Sequence, residues 1–358
     1  MIIRQCERVK LGVLMPSIHI GGGENATRFA IEHSDHELYV WQLVLVTDPY
    51  VTWDYLWQYA EIVPVYFEDY CYHLGQKTPM TLSEALDILR ECDGVISWEL
   101  DDVRSKMFNS LPGIKIHWIF RHDQNHRKQV RNNHILLTCS DSCIHDFGDI
   151  GNRKVTIIPS HVDLARCEAR RSRQEIRDEW GVGDRLVVGY LGRMDRNKNI
   201  PAIARAVAKQ PDMIAICYGA RSWDSREVEQ EVQQIAGENL RWFDAIIQIG
   251  NVLRGFDVMI LPSYSEVFSL SLLEAWATEV PVVCTNVGEV PTLQKQYGRL
   301  CSLIDPSASG EEIREAIHQA ISDWETVERA RQMVMACYTP EIVAQQWNRF
   351  FEEIFVRP

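Results

Sequence analysis

The sequence predicts an α/β protein built from two Rossmann-like, doubly wound domains. Short apolar runs alternate with amphipathic helical stretches along almost the whole chain, which is typical of parallel sheets covered by helices on both faces. A polar, arginine-rich segment that begins near Val162–Arg166 separates two such sets. With 358 residues, each half is long enough to bury its own core. We expect one domain over residues 1–163 and a second over 164–339.

The strand-like runs are short and rich in branched apolar residues, as buried parallel strands should be. Those of the first domain are Lys10–Met15, Tyr39–Val46, Ile62–Tyr66, Gly94–Ser97, Lys115–Phe120, Ile135–Cys139 and Val155–Ile158. Those of the second are Leu186–Leu191, Met213–Tyr218, Asp257–Leu261 and Val280–Cys284. Helical patterns between them include Leu82–Glu91, Ile200–Lys209 and Glu227–Ala236. Two doubly wound sheets predict a cleft, with ligands at the carboxyl ends of the strands.

The last segment, residues 340–358, has the spacing of an amphipathic helix. Its apolar side chains share one face and predict that this helix packs on another part of the chain. They are Ile342, Val343, Trp347, Phe350, Phe351 and Ile354.

Charge and composition exclude several classes of function. A net charge of -13 argues against stable nucleic-acid binding and against adsorption to anionic membranes. No run approaches the ~18 apolar residues of a transmembrane helix, and the first residues lack the apolar core of a signal peptide. The 10 cysteines include no CxxC pair. We expect reduced thiols in a cytoplasmic protein.

The segment Asp257–Glu289 is the most informative part of the chain. Glu266 and Glu274 flank the predicted start of a helix, because apolar residues recur at helical spacing from Phe268 onward. Free backbone N–H groups at the helix start, near Phe268, Ser269 and Leu270, can hold an anion. The two carboxylates can accept hydrogen bonds from hydroxyl groups. This arrangement fits a ligand that carries both phosphate and sugar.

A second motif, Gly189–Asn199, follows the first strand of the second domain. After the apolar run come Gly192 and Arg193, and then Lys198. Arg offers a forked donor and Lys a point charge to phosphate oxygens. Solvated loop cations are the alternative interpretation of this motif alone.

The two motifs together resemble the retaining GT-B glycosyltransferases of family four, the "glycosyl transferases group 1". In that family a loop Glu and a helical Glu surround a nucleotide-sugar, and the Arg and Lys grip its diphosphate. Val267 and Ser269 stand where the family usually has a small residue and a Gly, and Gly288-Glu289 replaces its Gly-Gly. A backbone N–H survives both of the first changes.

The resemblance implies a role for each candidate residue. His122, Glu266, Arg193 and Lys198 would surround the transferred sugar and its leaving group. For His122 a capping or surface histidine is the alternative, and His126 is a competitor for its role. Gly22 and Gly23, after the first strand, would face the donor phosphates, with a purely structural turn as the alternative. Glu274 would hold the ribose. The helix of residues 340–358 would cross back onto the first domain.

The implied reaction moves a sugar from a UDP- or GDP-type donor to a hydroxyl acceptor, a glycan or small glycosylated molecule, with retained configuration. No Asp-x-Asp motif is present, so we expect neither a metal nor another cofactor. The sequence shows no pair of carboxylates that could act as in retaining glycosidases, so we infer front-face displacement rather than a covalent intermediate. A non-hydrolysing nucleotide-sugar epimerase, a catalytically weak binding scaffold and a transferase acting on a modified nucleic-acid base remain alternatives. The aromatic run Trp53–Tyr59 is either an acceptor surface or core. The oligomeric state does not follow from the sequence.

Overall fold

The computed structural model describes residues 8–15, 22–35, 38–46, 60–64, 82–98, 102–119, 131, 133–147, 154–222 and 224–356. The chain divides into two compact units, the first comprising Met1–Ser160 with Glu341–Pro358 and the second His161–Pro340. Each unit contains one parallel sheet, so the predicted α/β architecture is confirmed.

The first unit contains a seven-stranded sheet. In chain order its strands are β1 (Val9–Met15), β2 (Tyr39–Val46), β3 (Ala60–Pro64), β4 (Gly94–Trp98), β5 (Ile114–Ile119), β6 (Ile135–Thr138) and β7 (Val155–Ile157). Their spatial order is β3-β2-β1-β4-β5-β6-β7, so the direction of winding reverses between β1 and β4. The described helices between the strands are α1 (Gly22–His33), α2 (Leu82–Arg90), α3 (Asp102–Ser110) and α4 (Asp141–Phe147).

The second unit has a six-stranded parallel sheet. Its strands are β8 (Leu186–Leu191), β9 (Met213–Tyr218), β10 (Leu240–Phe243), β11 (Val258–Leu261), β12 (Val282–Thr285) and β13 (Ser302–Ile304), in the spatial order β10-β9-β8-β11-β12-β13. Its helices are α5 (Leu164–Cys167), α6 (Arg173–Trp180), α7 (Ile200–Val207), α8 (Ser225–Ala236), α9 (Gly250–Leu253), α10 (Leu270–Ala277), α11 (Val290–Tyr297), α12 (Gly310–Ser322) and α13 (Trp324–Cys337). The winding reverses between β8 and β11, which are hydrogen-bonded neighbours.

The last helix, α14 (Pro340–Phe351), belongs to the core of the first unit. The rings of Trp347 and Trp118 lie 4.8 Å apart, and those of Phe351 and Tyr39 lie 5.3 Å apart. The Asn348 amide also accepts from the backbone of Asp35 at 3.0 Å. The apolar face seen in the sequence therefore packs on the sheet of the first unit.

Some element boundaries differ from the sequence predictions for local reasons. The helix expected over Ile200–Lys209 ends at Val207, because Lys209 adopts a positive φ of 59° that no α-helix continues. The strand expected from Val280 begins at Val282, after Pro281. In the part of the chain that the structure describes, no helix is both long and apolar enough to span a bilayer.

Candidate functional site

The candidate site lies where the sheet of the second unit changes its direction of winding. β8 and β11 pair directly, with Val188 opposite Val258. The loop after β8 carries Arg193 and Lys198, and the loop after β11 carries Glu266. In doubly wound sheets, ligands bind at the carboxyl ends of the strands at this point. The topology therefore brings the two sequence motifs together.

Lys198 and Glu266 form an ion pair. The Lys198 Nζ lies 2.6 Å from the Glu266 Oε1, and both side chains are 18% exposed. The Ser263 hydroxyl donates to the same oxygen at 2.7 Å. Because a lysine ammonium has three donors, Lys198 can keep this contact and still donate to a ligand oxygen.

The two loops are also joined by hydrogen bonds to backbone carbonyl groups, donated by one backbone N–H and by two asparagine side chains. The Tyr264 N–H donates to the Asn197 carbonyl at 2.8 Å, and the Asn197 amide donates to the Ser265 carbonyl at 2.8 Å. Asn199, at a positive φ of 51°, donates to the carbonyls of Pro262 at 3.1 Å and Pro306 at 2.9 Å. These bonds hold the loops that carry Lys198 and Glu266 in fixed positions relative to each other.

Arg193 lies at the exposed edge of this arrangement. Its side chain is 59% exposed and its Nη2 lies 3.2 Å from the Asp195 Oδ2. The other Asp195 oxygen accepts from the Lys198 backbone N–H at 3.1 Å. Asp195 therefore contacts the Arg193 guanidinium and caps the short turn that carries Lys198, and Arg193 remains accessible to a ligand.

Helix α10 begins four residues after Glu266, and its first turn is bonded to the end of β8. Ser269 is its N-cap residue, with an extended backbone and no side-chain capping bond. The Ser271 hydroxyl donates to the Leu191 carbonyl at 2.8 Å, which fastens the first turn of α10 to the end of β8. The N–H groups of that first turn are therefore not consumed by a side-chain cap, and they favour a negatively charged ligand.

A tight contact supports the loop before α10. Gly288 has a positive φ of 62°, and a Cβ placed there would lie 2.6 Å from the Val267 carbonyl oxygen. The Glu289 N–H donates to the same carbonyl at 3.0 Å. Position 288 therefore requires glycine, whereas Glu289 occupies the second position of the Gly-Gly pair without strain.

A cavity lies beneath this loop. Its empty volume, counted with the open solvent at its mouth, is ≈ 370 Å³. Glu266 and Glu289 are among its lining residues, and apolar side chains such as Phe268, Leu272 and Trp276 form most of its wall.

Glu274 is the most buried of the candidate acids. Only 5% of the residue is exposed, and burial raises the pKa of its carboxyl. The Arg166 Nη1 donates to its Oε1 at 3.2 Å and opposes that rise in pKa. Sequence reasoning missed Arg166, which is 108 residues away along the chain.

The remaining candidates belong to the first unit. Gly22 and Gly23 are the first two residues of α1. His122 and the aromatic run Trp53–Tyr59 lie outside the described residues. Their suggested roles stay predictions.

Comparison with known proteins gives one family. Residues 172–334 match the model of "Glycosyl transferases group 1", a segment that holds the whole sheet of the second unit. The resemblance on which the sequence analysis relied is therefore confirmed for this part of the chain.

Two curated relatives illustrate the range of the matches. One is a D-inositol 3-phosphate glycosyltransferase of Corynebacterium jeikeium, 28% identical over 45% of this chain and 43% of that protein. The other is an N-acetyl-alpha-D-glucosaminyl L-malate synthase of Bacillus anthracis, 22% identical over 63% of this chain and 61% of its own length. The chain thus spans less than two thirds of either relative.

Among solved structures, the chain is similar to Anabaena Alr3699/HepE in complex with UDP-glucose. The TM-score is 0.78 at 17% identity, and the match covers 97% of this chain and 100% of that one. A likeness at this identity establishes the fold alone. The predicted GT-B fold is confirmed.

Proposed function

Since residues 172–334 match the group 1 glycosyl transferases, we propose that the chain is a retaining glycosyltransferase using a nucleoside diphosphate sugar. The observation that carries this proposal is the clustering of Arg193, the Lys198–Glu266 pair and the N-terminus of α10 at the switch point of one sheet. Positive groups and helix N–H donors suit a diphosphate, and the carboxylates suit sugar hydroxyls.

The chemistry follows from these charges. As the bond between the sugar and the diphosphate breaks, negative charge grows on the leaving oxygen. Arg193, Lys198 and the first turn of α10 would stabilise that charge, which lowers the barrier. Glu266 would accept hydrogen bonds from sugar hydroxyls, with the Lys198 ammonium keeping it oriented.

Retention follows from attack on the same face that the diphosphate leaves. The acceptor hydroxyl would form its bond to the anomeric carbon as the diphosphate departs, and a phosphate oxygen would take the acceptor proton. Because cationic side chains supply the stabilising charge, we propose that the reaction needs no metal. The acceptor is proposed to be a glycan or a small glycosylated molecule.

Thermal stabilisation by a metal-free panel of UDP, GDP, ADP and dTDP sugars tests the donor site. A ligand that binds the native state raises its apparent stability, so one nucleotide should stand out. The UDP-glucose complex of the structural neighbour makes UDP sugars the first choice.

Turnover then separates a transferase from its alternatives. Proton NMR of the product should show the anomeric configuration of the donor preserved. A new free nucleotide-sugar formed without any acceptor would indicate an epimerase. Nucleotide binding without turnover on any hydroxyl acceptor would indicate a scaffold, and either result would overturn the proposal.

A further inference from the structure

Hydrogen bonds and close packing hold the backbone around Arg166, independently of the contacts that its side chain makes. Its N–H donates to the Asp163 carboxylate at 3.1 Å, which caps α5. The Gln248 amide donates to the Ala165 carbonyl at 2.9 Å. At Gly250 a Cβ would lie 2.2 Å from the Cys167 carbonyl, so α5 and α9 pack at backbone contact. This close packing sets the position of the Arg166 guanidinium.

The guanidinium joins three elements of the second unit. Its Nη1 donates to the Glu274 Oε1 on α10 at 3.2 Å, and its Nε donates to the Ile247 carbonyl, between β10 and α9, at 3.0 Å. In the described part of the chain, no protein hydrogen bond reaches the other Glu274 oxygen, Oε2. One carboxylate oxygen is therefore anchored while the second is left for a ligand.

We propose that Arg166 is a positioning residue for the nucleotide part of the donor, holding the Glu274 carboxylate by one oxygen so that the other can accept from the ribose hydroxyls. This inference rests on the proposed function, because it takes Glu274 as the ribose contact. A carboxylate accepts from two adjacent hydroxyls, whereas a protonated carboxyl loses part of that capacity. Without a cation beside it, a buried carboxyl takes up a proton instead of staying charged.

The described groups that act on the Glu274 carboxyl come from α5 and the turn before it. Burial raises the pKa of Glu274, Arg166 lowers it, and Asp163 raises it further. The Cys167 thiol is also close enough for the charge of Glu274 to raise its pKa. Helix α13 and strand β12 pack on α10 too, and among their described residues none contributes to this shift. Arg166 is thus the cation on which the charge of Glu274 depends.

Isothermal titration with UDP and GDP tests the proposal in the wild type, Arg166→Met and Arg166→Lys. We expect Arg166→Met to weaken binding roughly ten- to a hundredfold at about pH 6, the range for losing a charged hydrogen bond. Binding should recover toward wild type as Glu274 ionises at higher pH. Dividing by the wild-type affinity at each pH removes the titration of the nucleotide phosphate. Arg166→Lys, which keeps the charge, should show no such pH dependence.

The matched control is Glu274→Gln, which keeps the shape of the side chain and cannot ionise. In that background Arg166→Met should weaken binding little, and the pH dependence should disappear. A loss that is equal at every pH and undiminished in the Glu274→Gln background would mean a structural role and overturn the inference alone. Failure of the wild type to bind any of UDP, GDP, ADP and dTDP would overturn the proposed function and the positioning role together.

The pH dependence of protein stability, measured without any nucleotide, tests independently whether Arg166 controls the ionisation of Glu274. If Arg166→Met raises the pKa of Glu274 in the folded protein, the free energy of unfolding of the variant should fall with rising pH. The fall begins near pH 4.3, about the pKa of Glu in the unfolded chain, and ends above the raised pKa of the folded state. Chemical unfolding across this window should show the slope in Arg166→Met and not in the double variant Arg166→Met/Glu274→Gln. Identical slopes in the two proteins would contradict the charge link.

Discussion

Two ion pairs hold the two candidate glutamates, and they differ in burial. In the Lys198–Glu266 pair both side chains are 18% exposed. In the Arg166–Glu274 pair the acid is 7% exposed and the arginine 23% exposed, so the acid is the more buried partner, and the guanidinium makes a second, backbone contact. A pair at the mouth of a site can exchange a partner for a ligand, because water and ligand atoms can replace what is lost. Glu274 has little access to water, so loss of its cation would leave a buried charge uncompensated.

The difference has its origin in the fold. Lys198 and Glu266 lie on loops that follow two adjacent strands, so both point out of the sheet toward its ligand-binding edge. Glu274 lies in the second turn of α10, facing the short helix α5. The first pair should therefore govern chemistry, and the second should govern the binding and stability of the nucleotide side.

The largest expected effect is on turnover. Lys198→Met removes a proposed donor to the leaving diphosphate, and we expect its loss to lower kcat by about 10²- to 10³-fold. Initial rates at saturating donor measure it, with Lys295→Met on the exposed face of α11 as the matched control. Equal rates in the two variants would remove Lys198 from the catalytic assignment.

For stability we expect the opposite order: loss of Glu274 should lower the free energy of unfolding more than loss of Glu266. Glu274→Ala leaves Arg166, which is 23% exposed, without its carboxylate and should cost up to about 3 kcal/mol of unfolding free energy. Glu266→Ala opens a pair near solvent and should cost about 1 kcal/mol or less. Urea unfolding of both variants gives the comparison. A greater loss in Glu266→Ala would reverse our assignment of roles.

The spacing of the donor motifs was readable from the sequence because each lies within a short stretch of chain. Glu266, Glu274 and the intervening helix start are local features, and the alternation of strands and helices is a pattern repeated many times. The pairing of Lys198 with Glu266 follows once β8 and β11 are neighbours. That adjacency is itself a general property of doubly wound sheets.

The parts that were missed depend on distant or weak signals. Arg166 looked like one cation in an arginine-rich segment, and its bond to Glu274 requires the packing of α5 on α10. The sequence analysis also missed β10 and β13, with 4 and 3 residues, because such short runs give little periodicity. Gly288 was noted only as part of a family pattern, whereas its positive φ and close contact appear only in the structure.

Gly288→Ala tests how tightly the loop before α10 is supported. The left-handed backbone costs a non-glycine residue about 1–2 kcal/mol, and the Cβ would also meet the Val267 carbonyl at 2.6 Å. Gly181→Ala is the matched control, since Gly181 has a φ of 59° with open space around its Cβ position. The excess loss of stability at position 288, measured by urea unfolding, reports the close contact. Equal losses would show that the loop moves aside at no cost.

The smallest effect is expected where the chain departs from the family pattern. Neither Val267 nor Ser269 is among the described residues with positive φ, so neither position requires glycine for its backbone. Ser269 makes no capping bond with its side chain, and exchanging an N-cap serine for glycine costs only about a few tenths of a kcal/mol.

Ser269→Gly should therefore leave the unfolding free energy nearly unchanged. The backbone N–H groups of the first turn of α10 also remain, so the donor KM should change little. Steady-state kinetics with the donor identified by thermal shift measures this. A large change in donor KM at unchanged stability would show that the serine side chain itself contacts the donor. The Lys198–Glu266 pair would then act together with a hydroxyl, that of Ser269, which the family pattern does not contain.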